Sequence, residues 1–437
     1  MTYPFGFRAT AVDARRASAT ERRASATSPD DTLDTARSDG TPRSSNRRLS
    51  GTNRPPKPAS LRGVDTAGSA RTGTDDRQRE FLDSLLDTPS PSGFETRCQR
   101  VWLDHVGEFA DEVSTDAYGN AVATYHGSGS GSDPGSDAGS APEIAFAGHA
   151  DEIGFIVRDV DEEGFVRPGS IGGVDRTVSQ GQRVRVHSSE GSVPGVIGQT
   201  AIHLRERDDD SPADIEDQYV DIGADDREAA EKVVAVGDPI TIATETEDLA
   251  GTRMAARGMD NRTGIWVAAE GLRRAAENGV GATVHAVSTI QEEVGLEGAR
   301  MVGFDLAPDV VIAIDVTHAT DHPNSATRKV GTLSLGDGPV IARGSTNHPV
   351  LVTLAREAAA EAGIDVQLQA SGSRTGTDAD AFYTARGAIP ALSVGLPNRY
   401  MHTPVEVIDT EDLTDLVALL GSLASAAGDR DGFDVSV

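Results

Sequence analysis

The sequence predicts an α/β fold, with a mixed central sheet, helices on both faces of that sheet and a small inserted β-barrel domain. Two observations support this prediction. Apolar strand-like runs alternate with amphipathic helical patterns before residue 155 and again after residue 250, which is typical of a sheet covered by helices on both faces. Between these regions, residues 155–250 show only short strand patterns bounded by glycine turns, as in a small barrel or sandwich.

The first 75 residues are predicted to form a disordered basic tail. They are rich in Ser, Thr, Arg, Ala and Pro, and they show almost no apolar periodicity. Residues 1–74 hold thirteen Arg or Lys and seven Asp or Glu, which gives a net charge of +6. The tail could bind the acidic remainder of the chain, contact RNA, or precede the true start of translation.

The first part of the α/β domain is predicted at 76–154. The stretch "REFLDSLLD" has an apolar helical face, and a turn rich in Pro, Ser and Gly at 89–93 separates it from a second helical pattern. A hairpin follows, with its turn at 118–120. The run of Gly, Ser and Asp at 127–140 is expected to be a flexible surface loop.

The domain is predicted to resume at 251–437, after the β-rich insertion at 155–250. In this second part "TVHAVSTI" and "VVIAIDVT" have the composition of buried strands, whereas "IWVAAEGLRRAAEN" and "LTDLVALLGSLASAAG" are amphipathic helices. The insertion therefore interrupts one α/β domain.

The charge of the chain excludes one class of partner. The formal net charge is −29, with 69 Asp or Glu against 40 Lys or Arg, so nucleic acid is not expected to bind the folded body. Only three of the basic residues are lysines, namely Lys57, Lys232 and Lys329. This composition, with few aromatic residues, resembles that of halophilic proteins, whose carboxylate surfaces remain soluble in concentrated salt.

The cysteine content indicates the compartment. The single cysteine, Cys98, excludes an internal disulfide and a cysteine-based zinc site. A cytoplasmic location is therefore expected. Neither a signal peptide nor a membrane-spanning segment is predicted from the hydropathy of the sequence.

Acidic residues and histidines occur where predicted strands end. They fall in five short stretches, which contain His149 and Asp151, Asp260, Glu292 and Glu293, Asp315, and His402. Open α/β sheets bind ligands just beyond their strand ends. Any one of these residues alone is more often a helix cap or a solvated loop residue, so the prediction of a site rests on the five stretches together.

Two imidazoles and three carboxylates form a donor set that suits two divalent ions with one shared carboxylate. Imidazole favours Zn, Co or Ni, and carboxylate suits Mn and Zn. We therefore expect two divalent ions per subunit, Zn or Co first and Mn as the alternative. A vacant position on each ion could hold a shared hydroxide. Because Glu292 and Glu293 are adjacent, one is expected to bind metal and its neighbour to act as general base.

The order of these motifs resembles a known family. From about residue 77 to 425 the chain is similar to the dinuclear-metal aminopeptidases of the glutamyl and deblocking kind, which assemble into tetrahedral cages and include members described as endoglucanases. The matching stretches are "PSGFE", "DAYGN", "GHADEIGF", "IGGVD", "GQRVRV", "GDPI", "MDNRTG", "QEEVGLEGAR", "AIDVTHATD", "GTDADAF" and "RYMHTPVEVID". Because the whole ordered series recurs, the resemblance is specific.

The resemblance implies which residue holds which ion. His149 and Asp315 would bind one ion. Glu293 and His402 would bind the other, and Asp260 would bridge the two.

The resemblance also implies roles outside the ligand set and for the inserted domain. Asp151 would hydrogen-bond His149 and fix its tautomer, and Glu292 would be the general base. The Asp260–Asn261 peptide bond would be cis. The fold would be that of zinc-dependent exopeptidases, and the 155–250 insertion would join subunits into dimers that build a dodecamer.

Three functions remain in competition at this point. The leading hypothesis is a metal-dependent aminopeptidase that acts on short peptides, in which a metal-bridged hydroxide attacks the carbonyl and Glu292 handles the proton. The alternative is an endoglucanase-type glycoside hydrolase, although that reaction typically needs two opposed carboxyl groups and no metal. The third is a non-catalytic peptide-binding or scaffold protein. In the leading hypothesis, Asp378 and Asp380 could contact the main chain of the substrate.

Overall fold

The computed structural model describes residues 75–128, 141–205, 211–430 and 432–437. The predicted tail, apart from Asp75, and most of the Gly/Ser loop lie outside the described residues.

The described residues form helices and strands in the alternating order that the sequence predicts. Before the barrel, the elements are α1 (Asp76–Asp87), α2 (Thr96–Val106), β1 (Glu112–Thr115), β2 (Ala121–Tyr125) and β3 (Glu143–His149). The barrel region contains β4 (Gly154–Val160), β5 (Val166–Ile171), α3 (Arg176–Ser179), β6 (Arg183–Ser188), β7 (Gly191–Ile197), β8 (Val220–Asp221), α4 (Arg227–Glu231) and β9 (Pro239–Ile242), with 3₁₀ turns at Ile202–Leu204 and Ile215–Asp217.

The chain then returns to the α/β domain. Its elements there are β10 (Glu247–Asp248), β11 (Arg253–Ala256), α5 (Met259–Asn278), β12 (Thr283–Thr289), α6 (Glu297–Asp305), β13 (Val310–His318), α7 (Thr327–Val330), β14 (Val340–Arg343), α8 (Pro349–Ala362), β15 (Gln367–Ala370), α9 (Ala379–Phe382), a 3₁₀ turn (Ala385–Gly387), β16 (Ala391–Asn398), β17 (Glu406–Asp409) and α10 (Thr410–Gly428).

The central sheet is mixed, as predicted. In the described part of the chain its strand order is β1-β2-β12-β3-β13-β16-β14-β15. The four central strands β12, β3, β13 and β16 run parallel, while β2 pairs antiparallel with β12 and β14 pairs antiparallel with β16. The predicted hairpin is confirmed, because β1 and β2 pair antiparallel.

Helices cover both faces of this sheet. Alternate side chains along β3 pack against different sets of helices. Ile144 and Phe146 belong to a core cluster shared with α1, α2, α5, α8 and α10. Ala145 and Ala147 belong to a second cluster shared with α6 and α9. Successive side chains of a strand point to opposite faces, so these are the two covered faces, and the predicted fold class is confirmed.

The inserted region folds into a closed barrel. Its strands in the described parts of 154–242 follow the order β4-β5-β8-β7-β6-β9. Apolar side chains fill its interior, among them Phe155, Val184, Val186 and Ile240. A small sheet of β10, β11 and β17 pairs the segment that follows the barrel with the strand that precedes α10. β11 leads into α5 and β17 into α10, and the two strands pair antiparallel, so that Ala256, just before α5, lies opposite Glu406.

No helix among the described residues is long and apolar enough to cross a bilayer.

Candidate metal centre

Parallel strands bring four of the predicted residues to one edge of the central sheet. His149 ends β3, and the strand register pairs it with Thr289, the last residue of β12. Glu292 and Glu293 follow β12 after two residues, and Asp315 lies within β13. Because these strands are parallel neighbours, their carboxyl ends form one edge.

Asp260 reaches the same edge through the close approach of α5 to β3. It is the second residue of α5, and its peptide bond to Asn261 is cis, as the resemblance implied. Gly148 permits the approach, since a Cβ placed on it would lie 2.5 Å from the carbonyl carbon of Gly264 in α5. His402 comes from the loop between β16 and β17.

His149, Asp260 and Asp315 form the first convergent group of metal-binding donors. Nε2 of His149 lies 3.3 Å from Oδ1 of Asp260 and 3.7 Å from Oδ1 of Asp315. One donor atom from each residue lies within 4.8 Å of the others, and all three residues are buried.

Asp260, Glu293 and His402 form the second group. Nε2 of His402 lies 3.3 Å from Oδ2 of Asp260 and 3.4 Å from Oε1 of Glu293. Asp260 thus belongs to both groups, with Oδ1 facing His149 and Oδ2 facing His402. Within the part of the chain that the structure describes, these are the groups in which three such donors converge.

The spacing of these donors fits metal coordination. Ligand atoms about 2.1 Å from a tetrahedral ion stand about 3.4 Å apart, whereas a charge-assisted N–H···O bond is about 2.7–2.9 Å long. The distances from the histidine Nε2 atoms to the carboxylate oxygens are 3.3 to 3.7 Å. Imidazole and carboxylate donors in this combination suit a divalent ion.

The electrostatics of the cluster also favour cations. Burial, together with the charge of Asp315, raises the pKa of Glu292 to about 10. Burial and the charge of Asp260 raise the pKa of Glu293 and of Asp315. The neighbouring carboxylates of Asp260 and Glu293 raise the pKa of His402 to about 11. Divalent ions would offset this repulsion among the buried carboxylates and lower their pKa values, including that of Glu292.

The two adjacent glutamates occupy different positions. Glu293 faces His402 and belongs to the second donor group. Glu292 belongs to neither group, and its Oε2 lies 3.8 Å from Nε2 of His149. Both residues line the same cleft. The carboxylate of Glu292 is therefore available to a molecule in the cleft rather than engaged among the ligands.

Asp151 contacts other residues of the site in addition to His149, its predicted partner. Its Oδ1 lies 3.3 Å from Nδ1 of His149. The backbone N–H groups of Glu292 and Glu293 donate to its two carboxylate oxygens over 3.0 and 3.1 Å, and the Ser92 hydroxyl donates over 2.6 Å. Although burial opposes ionisation, hydrogen bonds from His149 and Ser92 lower the pKa of Asp151. One buried carboxylate thus holds His149 and both glutamates in place.

Glu152, next in sequence, faces away from the donor groups. Its side chain forms buried ion pairs with Arg257, which precedes α5, and, over 2.7 Å, with Arg262 in the first turn of α5. Burial opposes its ionisation, but the charges of Arg257 and Arg262 lower the pKa of Glu152 to about 2. This pairing ties the end of β3 to the start of α5, and so fixes the two segments that carry His149 and Asp260.

A buried carboxylate that the sequence did not indicate contacts two of the predicted ligands. Glu406 Oε2 accepts the backbone N–H of Asp260 over 3.1 Å, and Oε1 accepts that of His402 over 3.0 Å. Burial and the charge of Asp260 raise the pKa of Glu406. Its presence in the stretch "RYMHTPVEVID" was the available signal, and no spacing rule points to its partners.

Asp378 and Asp380 occupy structural positions. Asp378 is buried and accepts the Thr289 hydroxyl over 2.6 Å. Asp380 accepts the backbone N–H groups of Thr375 and Gly376 over 3.1 and 2.9 Å. Neither aspartate is among the residues that line the cleft.

The cleft beside the donor groups can hold a small ligand. Its volume is about 480 Å³, and the loop 371–377 forms one wall. Lys329 and Arg374 line the cleft and are exposed, and neither has an ion-pair partner among the described residues. The cleft therefore offers carboxylates and candidate metal positions at one place and unpaired cations at another.

Comparisons with known proteins agree with this architecture. The sequence profile of the M42 glutamyl aminopeptidase family matches residues 131–419. The lysyl aminopeptidase of Pyrococcus furiosus is 33% identical over 348 residues, which cover 79% of this chain and 96% of that protein.

Solved structures of similar proteins cover the same part of the chain. A TET aminopeptidase from a marine sediment archaeon of the Thaumarchaeota has a TM-score of 0.74 and 29% identity, over 80% of this chain and 97% of that one. The TET1 peptidase of Pyrococcus horikoshii, which can assemble into a tetrahedron or an octahedral shell, has a TM-score of 0.70 and 29% identity, over 79% of this chain and 99% of that one. An endoglucanase of Thermotoga maritima has a TM-score of 0.63 and 25% identity, over 79% and 97%.

Proposed function

This chain belongs to the M42 glutamyl aminopeptidase family, and we propose that it is a dinuclear metallo-aminopeptidase that removes N-terminal residues from short peptides. The observation that carries this proposal is the sharing of Asp260 between two three-donor groups. One carboxylate with an oxygen toward each histidine is an arrangement that suits a pair of neighbouring ions. In this proposal His149 and Asp315 would hold one ion, Glu293 and His402 would hold the other, and Asp260 would be shared by both.

The chain's own residues supply the proton transfers of the proposed reaction. Two divalent ions, when bound, would lower the pKa of a water molecule and polarise the peptide carbonyl. Glu292, which lines the cleft outside both donor groups, takes a proton from the attacking water and delivers it to the leaving amine. Asp151 holds the backbone of Glu292 and the Nδ1 edge of His149, and thereby keeps the base and one ligand in register.

The cleft supports a preference for short peptides. Its volume of about 480 Å³ fits one or a few residues rather than a folded chain. Lys329 and Arg374, exposed and unpaired among the described residues, suit a carboxylate such as the C-terminus of a short peptide.

A glycoside hydrolase is the alternative function, since one of the similar structures is an endoglucanase. Glycosidases typically place two carboxyl groups on opposite sides of the scissile bond and need no metal. Here the carboxylates converge with two histidines on common positions. The donor chemistry therefore favours the peptidase.

Aminoacyl p-nitroanilides and cellulose, assayed with Zn, Co or Mn and with a chelator, test the proposal. We expect p-nitroaniline release that a chelator abolishes and a divalent ion restores, and no reducing sugar from cellulose. Turnover that survives full removal of metal would exclude the metallo-aminopeptidase. Release of reducing sugar would favour the glycosidase instead. Absence of turnover with every substrate would favour the non-catalytic peptide-binding or scaffold protein.

We further propose that the barrel mediates self-association, first into dimers and then into a dodecamer. Support comes from its surface: Ile202 and Leu204, on the 3₁₀ turn after β7, are 73% and 79% exposed. A contiguous exposed apolar patch marks a protein–protein contact, and these two side chains, two positions apart, are the proposed centre of such a patch. The TET1 peptidase of Pyrococcus horikoshii assembles into closed shells.

Replacing both Ile202 and Leu204 with Asp is expected to reduce the mass of the assembly, because charged side chains oppose burial of this patch. Light scattering at high salt measures the mass. Tyr118→Asp, at a 70% exposed site in the β1–β2 hairpin outside the barrel, is the matched control and is expected to leave the mass unchanged. An unaltered assembly in the double variant would contradict a role for this turn.

A halophilic character is proposed from the charge. The part of the chain after residue 74 carries about −35, and its self-repulsion weakens as the Debye length falls from about 10 Å at 0.1 M salt to about 3 Å at 1 M. Activity and assembly are expected to be lost below a few hundred millimolar salt, measured by turnover and light scattering across a KCl series. Full activity and mass in dilute buffer would refute the proposal.

A cytoplasmic location is also proposed. Cys98, the single cysteine, is free and fully buried, which suits a reducing compartment.

A further inference from the structure

We propose that Glu406 is a positioning residue that fixes the backbone of Asp260 and His402, and thereby sets the affinity of the metal position formed by Asp260, Glu293 and His402. The inference rests on the proposed function, which assigns those three side chains to one ion. It adds a residue outside the ligand set whose effect falls mainly on one of the two positions.

Both oxygens of the Glu406 carboxylate are used for this contact. Oε2 accepts the N–H of Asp260 over 3.1 Å and Oε1 accepts that of His402 over 3.0 Å. Glu406 is only 2% exposed, and among the described residues it has no ion-pair partner. A carboxyl group buried without hydrogen-bond partners is costly, and the two N–H donors satisfy both of its oxygens and favour its ionised form.

His402 needs the support of Glu406 because its own surroundings hold it less firmly than those of His149. The side chain of His402 is 34% exposed, against 2% for His149. His402 also has a φ of +62°, a conformation that residues other than glycine seldom adopt without support. The loop that carries it is closed by paired hydrogen bonds between Arg399 and Val407. Within that closed loop, Glu406 binds the N–H of His402 itself.

Asp260 needs an acceptor for a different reason. The first N–H groups of a helix have no partner one turn earlier, and Asp260 is the second residue of α5. Its ψ of 104° departs from helical geometry. Glu406, 146 positions away in sequence, accepts this N–H, and so links the start of α5 to the His402 loop.

A carboxylate suits this position better than an amide. Both partners are donors, and a carboxylate accepts at both oxygens, whereas glutamine accepts at one atom and donates at the other. In Glu406→Gln one of the two N–H groups must face an NH₂ group. The backbone of Asp260 or of His402 then shifts, while the size of the side chain stays nearly the same.

The test measures metal affinity rather than turnover alone. Metal-free full-length protein is titrated with Zn or Co against a chromophoric chelator, and the Co absorption spectrum and thermal stability are recorded with and without metal. In Glu406→Gln we expect about 10- to 100-fold weaker binding of one ion, with a smaller effect on the other and a smaller rise in Tm on metal addition.

Glu270→Gln is the matched control. Glu270 is equally buried, lies on α5, and binds His105 and Gln78 rather than the donor groups. It is expected to lower the Tm of the metal-free protein without changing either affinity. Glu406→Asp, which keeps the charge but is shorter by one methylene, replaces the glutamine variant if that variant does not fold, and is expected to weaken the same ion.

The outcomes separate this inference from the function on which it rests. Selective weakening of one ion supports it. Native-like binding of both ions in the Glu406 variants overturns it, as does equal weakening of both ions in step with the loss of stability. If the native protein binds no divalent ion, the proposed function fails and the inference fails with it.

Discussion

Glu292→Gln is expected to lower kcat by about 10²–10⁴-fold, the usual contribution of a positioned general base, while both ions stay bound. The carboxylate of Glu292 lies outside both donor groups and lines the cleft. The amide keeps its size but cannot take a proton. Its backbone N–H to Asp151 is unchanged by the substitution. Metal content by elemental analysis and kcat on an aminoacyl p-nitroanilide measure the two effects.

Glu293→Gln is the control, because it makes the same change at the adjacent residue. Glu293 faces His402 within the second donor group, so its amide should weaken one ion, and activity should partly return at high metal concentration. Loss of an ion in Glu292→Gln, or near-normal turnover in that variant, would mean that the assignment of the two glutamates is reversed or wrong.

The convergence of the donors at one edge could be predicted because it depends on strand ends. His149 ends β3, Glu292 and Glu293 follow β12, and Asp315 lies in β13. Periodicity locates such strands, and parallel pairing brings their ends together. Which residue would hold which ion came from the resemblance and not from spacing, and the roles of the individual ligands remain predictions.

Contacts made by backbone N–H groups could not be predicted in this way. Glu406 meets Asp260 and His402 because a closed loop and the first turn of α5 come together in the tertiary fold. Any residue type carries an N–H, so no side-chain pattern identifies these donors. The same holds for Asp151, predicted as a partner of His149 alone, which also accepts the N–H groups of Glu292 and Glu293.

The barrel shows a second limit. Short strands bounded by glycine turns predict a barrel or sandwich, but the closed order β4-β5-β8-β7-β6-β9 is set by pairing between strands that are distant in sequence. β4 closes on β9 through Phe155 and Ile240, and the same two side chains fill the interior. Strand number and closure therefore follow from packing of the interior, which single-strand patterns do not encode.

Asp260→Asn is expected to have the broadest effect on the site, because Asp260 is the residue that both donor groups share. Its two oxygens lie 3.3 Å from Nε2 of His149 and 3.3 Å from Nε2 of His402. Asparagine retains one acceptor oxygen and turns a donor NH₂ toward the other position. At least one ion should be lost, and kcat/KM should fall by about 10³-fold or more, since a bound ion contributes several kcal/mol of transition-state stabilisation.

Asp315→Asn is the control for this prediction. Asp315 belongs only to the group of His149, so its amide should weaken one ion and spare the other. The backbone N–H of Asp260 to Glu406 is retained in Asp260→Asn, so a general collapse of the loop is not expected, and the Tm of the metal-free protein should remain close to native. Metal stoichiometry, kcat/KM and that Tm are measured for both variants. If Asp260→Asn binds two ions with native affinity, Asp260 does not bridge them, and the two donor groups must act as independent sites.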